Sequence, residues 1–208
     1  MTNFKKANLQ NTALRPIVLA PDAAPVTIRA ERGCDIPSRE ALLDVCFGEN
    51  RHQRTCQRLR DGRTPAAGLA FAAMREGRLV GTVRLWHVNA GGRPALVLGP
   101  LAVDPACRDL GIGAALMHEA LAAARARRHA AVILLGDAPY YARFGFSAAK
   151  VSELSLPGAF ERERLLGLEL TESGLDGARG MIVPTGMPSR KVRPARTKKL
   201  LQAMPRAA

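Results

Sequence analysis

No uninterrupted apolar run approaches the ~20 residues that a bilayer-spanning helix requires, so a transmembrane helix is excluded. A secretory core is missing too. Lys5 and Lys6 precede only one short apolar piece, Ile17-Val18-Leu19-Ala20, against roughly 7–15 residues in a signal sequence. Residues 1–25 therefore read as an irregular arm, and the cytoplasm is the expected compartment. No C-x-x-C pair occurs among Cys34, Cys46, Cys56 and Cys107. In a chain of 208 residues without an export signal, four such cysteines read as buried free thiols rather than a disulfide framework. There is no internal repeat. Acidic residues are absent after residue 187, where Arg190, Lys191, Arg193, Arg196, Lys198, Lys199 and Arg206 supply seven of the chain's +13 net charges. With prolines throughout and no aromatic residue to stack on a base, 188–208 read as a solvated basic tail. It is either a solubilising end or a segment that touches nucleic acid, ribosomes or anionic lipid by neutralising phosphates.

What is present is enough for one domain with a sizeable core, over about residues 26–187. Val26-Thr27-Ile28-Arg29 alternates as a short strand. Helices are expected from about Ser38, a plausible cap, to Phe47, and from about Gln53 to Arg60. Strands near 68–75 and 78–88 flank Glu76-Gly77, a hairpin signal, and Asn89 to Pro94 forms a loop. The most informative stretch comes next. Ala95 to Val103 has the length and composition of a buried strand. After a short polar loop the period changes, and Ile112, Leu116, Ala120 and Ala124 recur every four residues on one helix face. Gly111 and Gly113 stand at the helix start, where missing side chains let a ligand approach the backbone. Unpaired amides and the positive end of the helix dipole favour an anion there, and a phosphate-bearing ligand is the natural occupant. A dinucleotide turn fits less well. Its glycines follow the strand almost directly, and Leu116 takes the place of its third small residue, although Asp137 lies about where a ribose-binding acid would fall. Ala130 to Leu135 forms a fully apolar strand, parallel to the strand at 95–103 because a helix crosses between them. Asp137 is a candidate cap for the short helix holding Tyr140 and Tyr141, and a strand is expected at 166–170.

Arg108-Asp109-Leu110-Gly111-Ile112-Gly113, an R-x-x-G-x-G stretch, resembles the pyrophosphate-binding motif of the acyl-coenzyme A N-acyltransferase superfamily, the GNAT fold. Tyr141-Ala142-Arg143-Phe144-Gly145-Phe146 resembles that family's Tyr-x-x-x-Gly-Phe block, and Leu79 to Leu85 its third strand. The resemblance covers roughly residues 26–187. It implies a mixed α/β fold: a mostly antiparallel sheet flanked by helices, whose two central parallel strands splay apart to admit coenzyme A. It implies acetyl transfer from acetyl-CoA directly to an amine acceptor, without a covalent enzyme intermediate or a metal. Pyrophosphate contacts would fall on Arg108, Asp109, Leu110, Gly111, Ile112, Gly113 and Ala114. Leu101, Ala102 and Val103 would contact the pantetheine and acetyl groups. Leu110 departs from the family's usual basic residue, and the Asp109 carboxylate is expected to point away from the anion. Tyr141 matches the tyrosine that protonates the departing thiolate in many members, while Tyr140 reads as packing. No glutamate stands on the central strand to act as base. Asp104, His87, Glu49 and His52 are the candidates, with a water chain as the alternative. Cys107 reads as a space-filling residue of the loop. The competing reading is a noncatalytic acyl-coenzyme A-binding module that carries the basic tail to RNA or ribosomes.

Overall fold

Two tight hairpins organise the first half of the sheet. The computed structural model describes residues 16–17 and 24–189; the rest of the N-terminal arm and residues 190–208 of the tail lie outside the described residues. The chain runs β1 (Pro16–Ile17), β2 (Val26–Ala30), α1 (Ile36–Phe47), β3 (Ala70–Arg75), β4 (Arg78–Ala90), β5 (Arg93–Val103) and α2 (Ile112–Ala126). It continues through β6 (Ala131–Leu135), α3 (Ala138–Ala142), β7 (Leu154–Ser155), β8 (Leu165–Glu169) and β9 (Gly180–Pro184). Glu76 and Gly77, with φ of 50° and 74°, close the β3–β4 hairpin. Gly91 and Gly92, at 58° and 93°, close β4–β5, as a two-residue turn with two positive φ angles requires. The loop expected over 89–94 thereby shrinks to two residues.

The sheet order is β1-β2-β3-β4-β5-β6-β8, with β9 pairing both β4 and β7. β5 and β6 are parallel, as their helical crossover predicts, and the other pairs along the main order are antiparallel. β6 is apolar throughout because both its faces are covered. Val132 and Leu134 join the core beneath α2, and Ala131 and Ile133 join a second core with Trp86 and Val97. The predicted stripe of α2 is buried: Ile112, Leu116, Ala120 and Ala124 are all at 1% exposure or less. Burying Ile112 or Leu116 contributes about 1.5–3 kcal/mol each. Gly81 on β4 makes the approach close. A Cβ there would lie 3.0 Å from Leu116 and 3.1 Å from Ile112.

Three expectations change. α1 begins at Ile36, two residues before Ser38, with Pro37 in its first turn. Asp35 occupies the cap position, but its carboxylate accepts from Arg29 at 2.7 and 2.8 Å instead of capping. The helix expected over 53–60 is two 3₁₀ turns, 49–53 and 55–59, separated by an extended Arg54. Leu59 alone is fully buried in that stretch, so no apolar stripe supports a longer helix. Within the arm, Pro16–Ile17 pairs with Val26 and Thr27 as an edge strand. Among the described residues, no helix is long and apolar enough to cross a membrane.

Candidate functional site

β5 and β6 stay together for only two registers, Leu96 with Val132 and Val97 with Ile133. β5 then departs. Two residues, Gly99 and Pro100, stand between the partners of Val83 and Leu85, opposite Arg84 alone. The indole of Trp86 donates to the Gly99 carbonyl at 2.6 Å and ties that bulge to the sheet. Past this point each strand turns unladdered backbone groups toward the gap. The gap is a cleft of about 770 Å³. Leu98 to Leu101 form one edge, Leu134 to Asp137 the other, with Tyr140, Tyr141 and Arg164 beyond. The segment from Arg51 to Arg60 closes the remaining side.

The loop before α2 supplies unused donors. Asp104 caps the turn at Pro105–Cys107 by accepting from Ala106 N–H at 2.9 Å. Asp109 and Gly111 then take positive φ, 64° and 72°. The first bond into α2 runs from Ala115 N–H to the Gly111 carbonyl, so the amides of 109–114 have no backbone acceptor among the described residues. Arg108 and Asp109 are exposed. Leu110, where the family motif carries a base, instead packs against the main core and anchors the loop. All four cysteines are free, but Cys107 alone is buried, in keeping with a space-filling role, while Cys34 is exposed and Cys46 and Cys56 are half-buried.

The three β5 residues face different neighbours. Leu101 lines the cleft, Ala102 is buried against Leu42 and Leu43 of α1, and the Val103 carbonyl accepts from the Cys46 thiol at 3.3 Å. Of the residues singled out for acetyl-CoA, Leu101 alone borders the cleft; the 108–114 loop lies beyond its lining. Tyr140 bridges the two regions, since it lines the cleft and its hydroxyl lies 3.0 Å from where a Cβ on Gly113 would be. Sequence reasoning gave Tyr140 a packing role only, and nothing in its spacing signals this position.

α3 starts where Asp137 caps it, accepting from Tyr140 N–H at 3.3 Å, with Pro139 in its first turn. Tyr141 lies so close to Gly136 that a Cβ there would be 2.2 Å from its ring. Burial, reinforced by Tyr140, pushes the Tyr141 phenol up to about 12. None of the carboxylates and imidazoles considered as base lines the cleft. Asp104 is a cap, and His87 is on β4 with its ring 5.3 Å from His129. Glu49 and His52 sit on the first 3₁₀ turn, outside the lining. The carboxylates bordering the cleft are Asp137 and Glu161.

Known proteins resemble this chain in sequence and fold. Residues 37–146, just over half the chain, match the Acetyltransferase (GNAT) family. The uncharacterized N-acetyltransferase YhbS of Escherichia coli K12 is 33% identical over 162 residues, covering 74% of this chain and 93% of YhbS. The crystal structure of Escherichia coli YhbS in complex with CoA superimposes with a TM-score of 0.66 at 29% identity, covering 81% of this chain and 93% of that one. A GNAT family acetyltransferase from Brucella melitensis in complex with acetyl-CoA gives 0.56 at 27% identity, covering 77% and 96%. The chain belongs to the GNAT family and is an enzyme of its N-acetyltransferase class.

Proposed function

We propose that this enzyme transfers the acetyl group of acetyl-CoA directly to a primary amine within the cleft between β5 and β6. One observation carries the reading: the two parallel strands part after Val97 and Ile133, leaving a cavity with Tyr141 on its wall. The fit of the cofactor rests on the unpartnered amides of 109–114 at the opening of α2, a cradle for the pyrophosphate. Arg108 adds its charge, and Gly111, Gly113 and Ala114 keep the approach open. The pantetheine arm runs along Leu101, Ala102 and Val103, which brings the thioester toward Tyr141.

The uncharged amine nitrogen attacks the thioester carbonyl carbon to form a tetrahedral intermediate. The carbon–sulfur bond then breaks, and the sulfur takes a proton from the Tyr141 hydroxyl. A phenol held at about 12 keeps that proton throughout the neutral range. The proton shed by nitrogen leaves through Glu161, since Asp137 is occupied as a helix cap. Thiol release from acetyl-CoA, followed across a panel of amines, is the test. Turnover that Tyr141→Phe slows without weakening CoA binding supports the assignment. Thermal stabilisation by acetyl-CoA without turnover of any amine returns the noncatalytic binding module.

A further inference from the structure

Three arginines on the 51–60 wall of the cleft are held in different ways. Arg51 is matched, with Nη2 2.6 Å from Glu40 and Nε 2.6 Å from Asp44. Arg54 stacks over the Phe47 ring at 5.0 Å and donates to the Phe47 carbonyl at 3.4 Å. Arg60 has neither arrangement. Its Nε is buried without a hydrogen-bond partner, and it makes no ion pair among the described residues. The acid next to it, Asp61, accepts from Gln57 at 2.5 Å. Arg60 Nη1 lies 3.5 Å from where a side chain on Gly99 would begin, so the guanidinium head rests at the bulge where the strands part. Arg51 and Arg54 raise the positive potential around it, and burial pulls its pKa below the usual guanidinium value.

A desolvated cation without a counter-charge is costly, and such a group persists where a ligand completes it. Acetyl-CoA does not supply the missing anion on the reading above. Its pyrophosphate goes to the 108–114 loop, outside the cleft lining, and its pantetheine arm is uncharged. We propose that Arg60 binds an oxyanion, carboxylate or phosphate, on the acceptor itself, so that the acceptors are small anionic amines such as amino acids and amino phosphates. This rests on the acetyltransferase reading of the cleft. The planar, bidentate geometry of guanidinium suits either oxyanion.

The experiment compares kcat/KM, by thiol release, for free amino acids against their amides and for phosphoethanolamine against ethanolamine. The two arms separate carboxylate from phosphate. The wild type is expected to favour one anionic member at least 20-fold. Arg60→Gln should bring that ratio below 3 while leaving the neutral partner's rate and the KM for acetyl-CoA unchanged; Arg60→Lys should retain part of the preference. Absence of any anionic preference overturns the proposal. So does an equal slowing of both partners, which would put Arg60 on the developing oxyanion of the intermediate. If no amine turns over, the acetyltransferase reading fails separately, and calorimetry on the CoA-saturated protein decides this one. N-acetyl amino acids or N-acetylphosphoethanolamine must then bind at least tenfold tighter than their uncharged analogues, and lose that margin in Arg60→Gln. Equal or undetectable binding of both overturns it.

Discussion

Arginines at the two ends of the 29–60 segment meet opposite fates. Near its start, Arg29 chelates Asp35, while Arg39 and Arg84 converge on Glu31 from helix and strand. Both carboxylates are only 7% exposed, and every guanidinium there is matched. At its other end, past the matched Arg51, Arg60 is buried in part and unmatched. The matched group locks the α1 entry onto β2 and β4. The unmatched one stores positive potential in a cavity. Breaking a matched pair leaves an uncompensated buried charge, whereas an unmatched cation on a cavity wall is open to an anion from outside the chain.

The largest effect should come from breaking the matched group. Glu31→Gln leaves the largely buried Arg84 without a carboxylate and Arg39 with Glu40 alone, and is expected to cost about 3 kcal/mol in denaturant unfolding. Arg60→Gln is the counter-experiment. It removes a cation with no partner, so its melting temperature should stay level or rise. A loss comparable to that of Glu31→Gln would make Arg60 structural and erase the contrast. Tyr141→Phe should lower kcat about 100-fold, within the usual range for a lost general acid, with KM for acetyl-CoA unchanged. Because the phenol is held at about 12, no alkaline limb from Tyr141 is expected between pH 8 and 10.

A milder perturbation of the matched group comes from pH. Arg29 and the Arg32 amide hold the Asp35 carboxyl at about 2, below its unfolded value near 3.9. The stabilisation, roughly 2 kcal/mol, is present above pH 4 and lost as pH falls through 2, since the unfolded chain binds the proton first. Asp35→Asn should abolish that slope in acid unfolding curves. The smallest effect is assigned to Glu161→Gln, a few-fold loss of kcat, because a carboxylate 66% exposed is readily replaced by water.

Much of the frame was legible before any coordinates. The four-residue recurrence from Ile112 to Ala124, the strand at 95–103 and the apolar strand at 130–135 stand where expected, with the expected parallel pairing. Long periodic segments announce themselves because burial repeats along them. The 53–60 stretch is illegible for the converse reason: polar residues with a single buried leucine carry no period, and neighbouring groups choose its shape. Glu161 carries no such signal, since it reaches the cleft from a loop that belongs to none of the motifs.

Local chemistry alone therefore specified the glycine-marked opening of α2, its buried stripe and the capped tyrosine helix, since each depends on residues within one or two turns. The parting of β5 from β6, the placing of Tyr140 against Gly113 and the isolation of Arg60 at Gly99 arise only from packing. Contacts between residues tens of positions apart set burial and the local dielectric, and with them which charges find partners and which remain for a ligand.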